Sequence, residues 1–153
     1  KITAGKSATA FAPNDACTRA QAVTFLWRAA GSPEPKATST VFTDVAKDSY
    51  YYKAVLWAVE NGITNGATET TFAPNATCSR SQIVTFLYRS QKSPEATAEN
   101  PFTDVKAGAF YENAVLWAVK ENITTGASAT TFDPAGSCTR GQIVTFLFRC
   151  MGK

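Results

Sequence analysis

The chain repeats itself, and no other feature limits its architecture as strongly. "AFAPNDACTRAQAVTFLWRA" from position 10, "TFAPNATCSRSQIVTFLYRS" from position 71 and "TFDPAGSCTRGQIVTFLFRC" from position 131 are three versions of one segment. A second segment occurs twice: Phe42, Thr43, Asp44 and Val45 return as Phe102, Thr103, Asp104 and Val105, Trp57 as Trp117, and Gly66 as Gly126, all at a period of 60. Reading backwards, Ile63, Gly66, Phe72, Pro74, Cys78 and Arg80 match Ile2, Gly5, Phe11, Pro13, Cys17 and Arg19 at a step of 61. The chain therefore opens inside a repeat whose front half is missing. It divides into the C-terminal half of a first repeat (1–31), a second repeat (42–91) and a third (102–153), joined by Pro-, Ser-, Thr- and Ala-rich linkers at 32–41 and 92–101. Units of this size cannot bury an apolar face alone, so they must pack on one another.

Each complete repeat reads as two helices. The first is expected over about Tyr50–Asn61 and Phe110–Asn122, with Ala54, Val55, Ala58 and Val59 forming an apolar stripe. Gly62 and its counterpart Asn122 follow, both tolerant of the left-handed conformation that ends helices. A turn-rich loop comes next, with a short extended pair expected within it. The second helix is announced by Thr18, Ser79 and Thr139, each followed three residues later by Gln21, Gln82 and Gln142, the capping-box pattern. Cys17, Cys78 and Cys138 stand just before the cap, with Ala22, Ile83 and Ile143 at the fourth helical position, the arrangement of a hydrophobic staple. Phe11, Phe72 and Phe132, each two residues before a proline, read as core plugs. The helix after Arg19 carries Val23, Phe25, Leu26 and Trp27 but has no Trp-bearing helix ahead of it. Its apolar face is expected to be covered by another copy of the chain, a swapped segment or an upstream piece.

Composition narrows the function. The 153 residues are 44% hydrophobic, enough for a core, and no apolar run approaches the roughly 20 residues that span a bilayer. The opening "KITAGKSATAFAP" lacks the apolar block of a secretion signal, so any export signal is expected upstream. With 15 basic and 12 acidic residues, unclustered, the chain lacks the footprint of a nucleic-acid binder; the small excess suits an anionic ligand. There is no histidine, and the repeat cysteines lie about 60 residues apart, which fits neither a metal knuckle nor a disulfide framework. No pair of carboxylates is placed for glycosidase chemistry, since Asp44 and Asp104 belong to equivalent repeats and not to one site. No catalytic residue, metal or cofactor is assigned.

The arginines are the open question. Arg19, Arg80 and Arg140 occupy the first helical position, where the helix dipole disfavours a cation by roughly 0.3–1 kcal/mol. Something negative should compensate. It is either a protein carboxylate, such as Asp44 or Asp104, or a ligand anion held by the guanidinium together with the free N–H groups of the helix start. Trp57 and Trp117 are either core or a stacking surface for a sugar. Gly5, Gly66 and Gly126 are either turn residues or points where a ligand approaches the backbone.

Taken together, Phe42–Val45, Trp57-Ala58, Gly62–Gly66, Phe72-Ala73-Pro74 and Ser79–Gln82, with their counterparts Phe102–Val105, Trp117-Ala118, Ile123–Gly126, Phe132-Asp133-Pro134 and Thr139–Gln142, resemble the S-layer homology family. Its pattern runs F-x-D-V, W-A, G-I-x-x-G, F-x-P, T-R-A-E. The resemblance implies a mainly α fold of tandem helix-loop-helix repeats, packed as a pseudo-threefold unit around a central three-helix bundle. It implies an extracellular, non-catalytic module at the bacterial cell surface that binds secondary cell-wall polysaccharide, a pyruvylated glycan, in grooves between repeats. The signature arginine corresponds to Arg19, Arg80 and Arg140, and the loop glycine to Gly5, Gly66 and Gly126; Asp44, Asp104, Trp57 and Trp117 complete the expected ligand-binding set. The sequence departs from the pattern in three places. Gln replaces the acidic residue of T-R-A-E, Cys replaces a branched apolar residue, and the first repeat lacks F-x-D-V and the Trp helix. A protein–protein or self-assembly scaffold, with its arginines locked in internal ion pairs, is the competing reading.

Overall fold

In the computed structural model, which describes residues 2–152, the chain forms five helices: α1 (Arg19–Ala29), α2 (Tyr52–Glu60), α3 (Arg80–Ser90), α4 (Glu112–Lys120) and α5 (Arg140–Met151). The fold is mainly α, and none of these helices is long and apolar enough to cross a membrane. The helices α1, α3 and α5 follow the capping boxes. Thr18, Ser79 and Thr139 each accept a bond from the N–H of the Gln three residues on, and the Gln side chain accepts one from the N–H of the cap residue. The Trp helices α2 and α4 begin about two residues later than the sequence suggested, each after a tight turn in which Tyr52 N–H donates to the Ser49 carbonyl (3.1 Å) and Glu112 N–H to the Ala109 carbonyl (2.9 Å); Tyr51 and Tyr111 give no side-chain cap. Both stop where expected, at Gly62 (φ 66) and Asn122 (φ 56).

The three cap segments meet in a closed ring. The Cys17 N–H donates to the Cys138 carbonyl (2.8 Å), Cys138 to Cys78 (3.0 Å) and Cys78 back to Cys17 (2.8 Å). Isolated antiparallel bridges Ala16–Thr139, Thr18–Thr77 and Ser79–Ser137 flank it. The extended pairing expected inside the loops thus lies between repeats, and each loop closes by a tight turn instead, Ala67 N–H to Thr71 O and Ala127 N–H to Thr131 O (both 2.8 Å). A small apolar side chain suits the ring: all three cysteines are fully buried, and they are not joined by disulfides. Burial pushes the Cys17 and Cys138 thiols up to about 12 and Cys78 higher, so they are inert, uncharged packing groups.

Packing order is the feature that sequence could not supply. The Trp helix of each repeat lies not on its own capping-box helix but on that of the preceding repeat: α2 packs on α1 and α4 on α3. The Tyr88 and Trp117 rings mark the second junction at 5.5 Å. The face of α1 expected to stand uncovered is therefore covered by α2, and Val23, Phe25 and Leu26 are buried. The uncovered face belongs to α5, where Phe148 is 76% and Met151 45% exposed. The linkers are pinned by the same helices: Trp27 Nε1 donates to the Pro33 carbonyl and Tyr88 Oη to the Pro94 carbonyl, both at 2.8 Å.

Candidate functional site

The start of each capping-box helix is docked on a loop of another repeat. Arg19 and Ala20 donate their N–H groups to the carbonyls of Ala76 and Pro74 (2.9 and 3.0 Å), Arg80 and Ser81 to Gly136 and Pro134 (2.8 and 3.1 Å), and Arg140 and Gly141 to Asp15 and Pro13 (2.9 and 2.8 Å). This corrects the expectation that free helix N–H groups assist an anion. They are already paired, and the carbonyl oxygens they meet offset the dipole that made arginine costly there.

The arginine side chains follow the same loops. Arg19, Arg80 and Arg140 donate Nε–H to the carbonyls of Phe72, Phe132 and Phe11 at 2.8, 2.8 and 2.9 Å. Each guanidinium lies over the ring of the same phenylalanine at 4.8–4.9 Å. The three residues are only 3–5% exposed, and their Nη2 atoms are buried without a hydrogen-bond partner. Burial pushes the Arg19 guanidinium down from its usual range, with Cys78 and Asp44 opposing the shift. Among the described residues no direct ion pair joins an arginine to Asp44 or Asp104; the ion pairs are Lys6–Asp15 and Lys53–Glu34, both at the surface.

Asp44 and Asp104 serve the loops. Asp44 accepts from the N–H groups of Phe72 and Ala73 (2.8 and 2.7 Å), and Asp104 from those of Phe132 and Asp133 (2.8 and 2.7 Å). Ala73 and Asp133 sit in the left-handed region (φ 56 and 58), so the paired bonds hold a strained turn. One phenylalanine thereby links the two groups: its N–H meets the aspartate and its carbonyl meets the arginine. Desolvation works to raise the Asp104 carboxyl, but the backbone donors of Phe132, Asp133 and Asp104 itself, with the Arg80 charge, outweigh it and hold the group below the usual carboxylate range.

Three grooves result, with volumes of about 370, 380 and 470 Å³. The first is lined by Arg140, the Gly5 loop, Gln21, Thr24, Phe25, Arg28 and Tyr50; the second by Arg19, the Gly66 loop, Gln82, Thr85, Phe86, Arg89 and Phe110. The third has Arg80, the Gly126 loop, Gln142, Thr145, Phe146 and Arg149, but no residue corresponding to Tyr50 or Phe110. Every groove thus carries two arginines, and none of the lining residues is acidic.

Each groove places one signature arginine beside one loop glycine: Arg140 with Gly5, Arg19 with Gly66 and Arg80 with Gly126. Glycine is needed at 66 and 126 for backbone reasons as well: φ is 95° and 92°, and a Cβ would lie 2.5 Å from the Phe42 or Phe102 ring. Asp44, Asp104, Trp57 and Trp117 line none of the three grooves; the tryptophans are 8% and 5% exposed within the core. Sequence reasoning missed the second arginine of each groove. Arg28, Arg89 and Arg149 recur nine residues after the first, and each donates Nη1–H to the carbonyl of Ile2, Ile63 or Ile123 (3.3, 3.2 and 3.1 Å). That spacing was a visible signal. The exposed aromatics Tyr50 and Phe110, each edge-on to the next tyrosine at 5.0 and 5.1 Å, were another.

Comparison with known proteins gives a family model described as "S-layer homology domain", which matches residues 1–23, 41–84 and 101–144. Three similar relatives are the "Surface-layer 125 kDa protein" of Lysinibacillus sphaericus, 34% identical over 74% of this chain, the "Endoglucanase" of Bacillus sp. (strain KSM-635), 30% over 93%, and the "Cell surface protein" of Thermoanaerobacter kivui, 27% over 76%. The chain spans only 10%, 15% and 16% of their respective lengths.

Proposed function

The chain belongs to the S-layer homology family, whose model it matches at three successive segments, and from that premise we propose that it anchors a larger polypeptide by gripping an anionic cell-wall glycan in its inter-repeat grooves. Surface anchoring at the bacterial cell surface follows from the family and from the S-layer and cell-surface relatives. The small share of each relative that the chain spans supports a passenger lying outside this module, as does the endoglucanase among them.

The observation that carries the ligand class is the charge of the grooves. Two guanidiniums and no carboxylate in a half-enclosed cleft favour an anion and oppose a cation. A planar carboxylate, such as a pyruvate ketal on a sugar, is the group that a guanidinium fork matches. Threonine and glutamine side chains offer the hydrogen bonds a sugar ring requires, and Tyr50 or Phe110 offers a stacking face. The grooves recur in all three repeats, which suits a polymer by allowing several weak sites to act together. The ring of cap residues supports reading the whole as a pseudo-threefold unit.

Co-sedimentation with purified cell-wall sacculi tests this. Binding should be strong to intact sacculi, lost after chemical removal of the secondary polymer, and lost in the Arg80→Ala, Arg140→Ala double variant while its helical spectrum is kept. Lysine should rescue poorly. Unchanged binding by a folded double variant would remove the proposal.

A further inference from the structure

A different residue precedes each groove glycine: Ala4 before Gly5, Asn65 before Gly66 and Thr125 before Gly126. The fold demands the glycine at 66, where a side chain would strike the Phe42 ring, but it makes no such demand on the exposed residue before it. Only the second groove therefore carries an asparagine followed by a residue with no side chain to shield its backbone nitrogen. The chain has one other such pair, Asn61-Gly62, and the structure treats the two differently. Asn61 closes α2: its Nδ2 donates to the Trp57 carbonyl (2.9 Å) and the Gly62 N–H to the Val59 carbonyl (3.0 Å). Asn65 stands in an open loop. Among the described residues its side chain makes no hydrogen bond, and the Gly66 N–H meets only the Thr64 hydroxyl (3.1 Å). Asn65 and Gly66 line the same groove as Arg19 and Arg89.

We propose that Asn65 is a self-modifying site, whose conversion to aspartate or isoaspartate turns off the second groove as the protein ages. Hydroxide removes the Gly66 amide proton, and the nitrogen attacks Asn65 Cγ. The new N–Cγ bond displaces the side-chain amide as ammonia and leaves a cyclic imide, which water opens at either carbonyl to an acid. Nothing is oxidised or reduced. Either product puts a carboxylate among lining residues that include two arginines and no acid, so the groove's cations are neutralised from within. The isoaspartate also lengthens the backbone between Thr64 and Gly66, in the loop that positions the glycine. The first and third grooves hold no asparagine before their glycines and stay as they are. Formation of the acid does not depend on what the groove binds; the loss of binding rests on the anionic-glycan reading.

The test incubates the folded 153-residue chain at mildly alkaline pH, places the new acid by fragment mass spectrometry, and compares sacculus binding by fresh and aged protein. Conversion at Asn65 should run about tenfold faster or more than at Asn61, whose side chain and following N–H are both tied to the end of α2. In denatured chain the two should convert at similar rates. Aged protein and the fresh Asn65→Asp variant should each bind about threefold or more weakly than fresh wild type, since one of several sites acting together is lost. Asn65→Thr should gain no acid at that position and bind alike before and after ageing. Conversion at Asn65 no faster than at Asn61 in the folded chain would overturn the inference. So would aged protein and Asn65→Asp that bind as fresh wild type does while the Arg80→Ala, Arg140→Ala variant does not bind. Binding by that double variant would instead overturn the anionic-glycan reading, and the modification site would then stand or fall on the mass data.

Discussion

Replacing Asp104 with Asn isolates the link between the aspartates and the groove arginines. Asp104 accepts the Phe132 and Asp133 N–H groups at 2.8 and 2.7 Å. Asparagine keeps one acceptor oxygen and turns an NH₂ toward the other donor, so one charge-assisted bond is lost and one donor faces another. A hydrogen bond to a charged group contributes about 1.5–3 kcal/mol, which sets the expected loss in stability. The effect should reach Arg80, whose Nε–H is received by the Phe132 carbonyl. In a double-mutant cycle with Arg80→Lys, measured by denaturant unfolding, we expect a coupling of at least about 0.5 kcal/mol. The sign with pH is fixed by the depressed carboxyl. Its contribution is complete above the unfolded value near 3.8 and disappears as pH falls through the lower folded value, so wild type and variant should converge in acid. A loss below about 0.5 kcal/mol at neutral pH, or strict additivity with Arg80→Lys, would refute the reasoning.

Other outcomes follow from the same geometry. Gly66→Ala should cost about 1–3 kcal/mol or more in denaturant unfolding, since the new methyl meets the Phe42 ring at 2.5 Å and the Thr68 carbonyl at 2.6 Å in a left-handed backbone. Ser79→Ala should cost about 1 kcal/mol by removing the acceptor for the Gln82 N–H, and Ser79→Thr should cost little. Cys17 and Cys138 have folded values raised to about 12 from 9.0, so their contribution is complete below pH 9 and is lost as pH rises toward 12; alkaline unfolding should steepen over that window. Native thiol titration near pH 8 should find Cys17, Cys78 and Cys138 unreactive until the chain unfolds.

The sequence made local structure legible and left the docking order hidden. Capping boxes at Thr18, Ser79 and Thr139 and the left-handed stops at Gly62 and Asn122 are short-range chemistry, and all five stand as read. The arginines were legible as misplaced charges at a helix start, a physical conflict that called for a partner. What answers it is nonlocal. The carbonyls of Ala76, Gly136 and Asp15 come from other repeats, and no spacing along the chain announces them. The same limit misplaced the uncovered face, because adjacency in sequence suggested that a Trp helix serves its own repeat, whereas α2 serves α1. For Trp57 and Trp117 the sequence left core and sugar platform both open, and burial on a neighbouring helix places them in the core.

The central claim is that the grooves select an anion. Ala4, Asn65 and Thr125 each precede a groove glycine, are exposed and line one groove apiece, so they can receive a charge without touching the core. The measurement is a calorimetric titration of isolated cell-wall polymer into the wild type and the Ala4→Asp, Asn65→Asp, Thr125→Asp triple variant, repeated with polymer whose carboxyl groups have been reduced to alcohols. The account expects wild-type binding to native polymer, weakened at least tenfold by the three aspartates and abolished by carboxyl reduction. Equal affinity of the wild type for native and carboxyl-reduced polymer would contradict it.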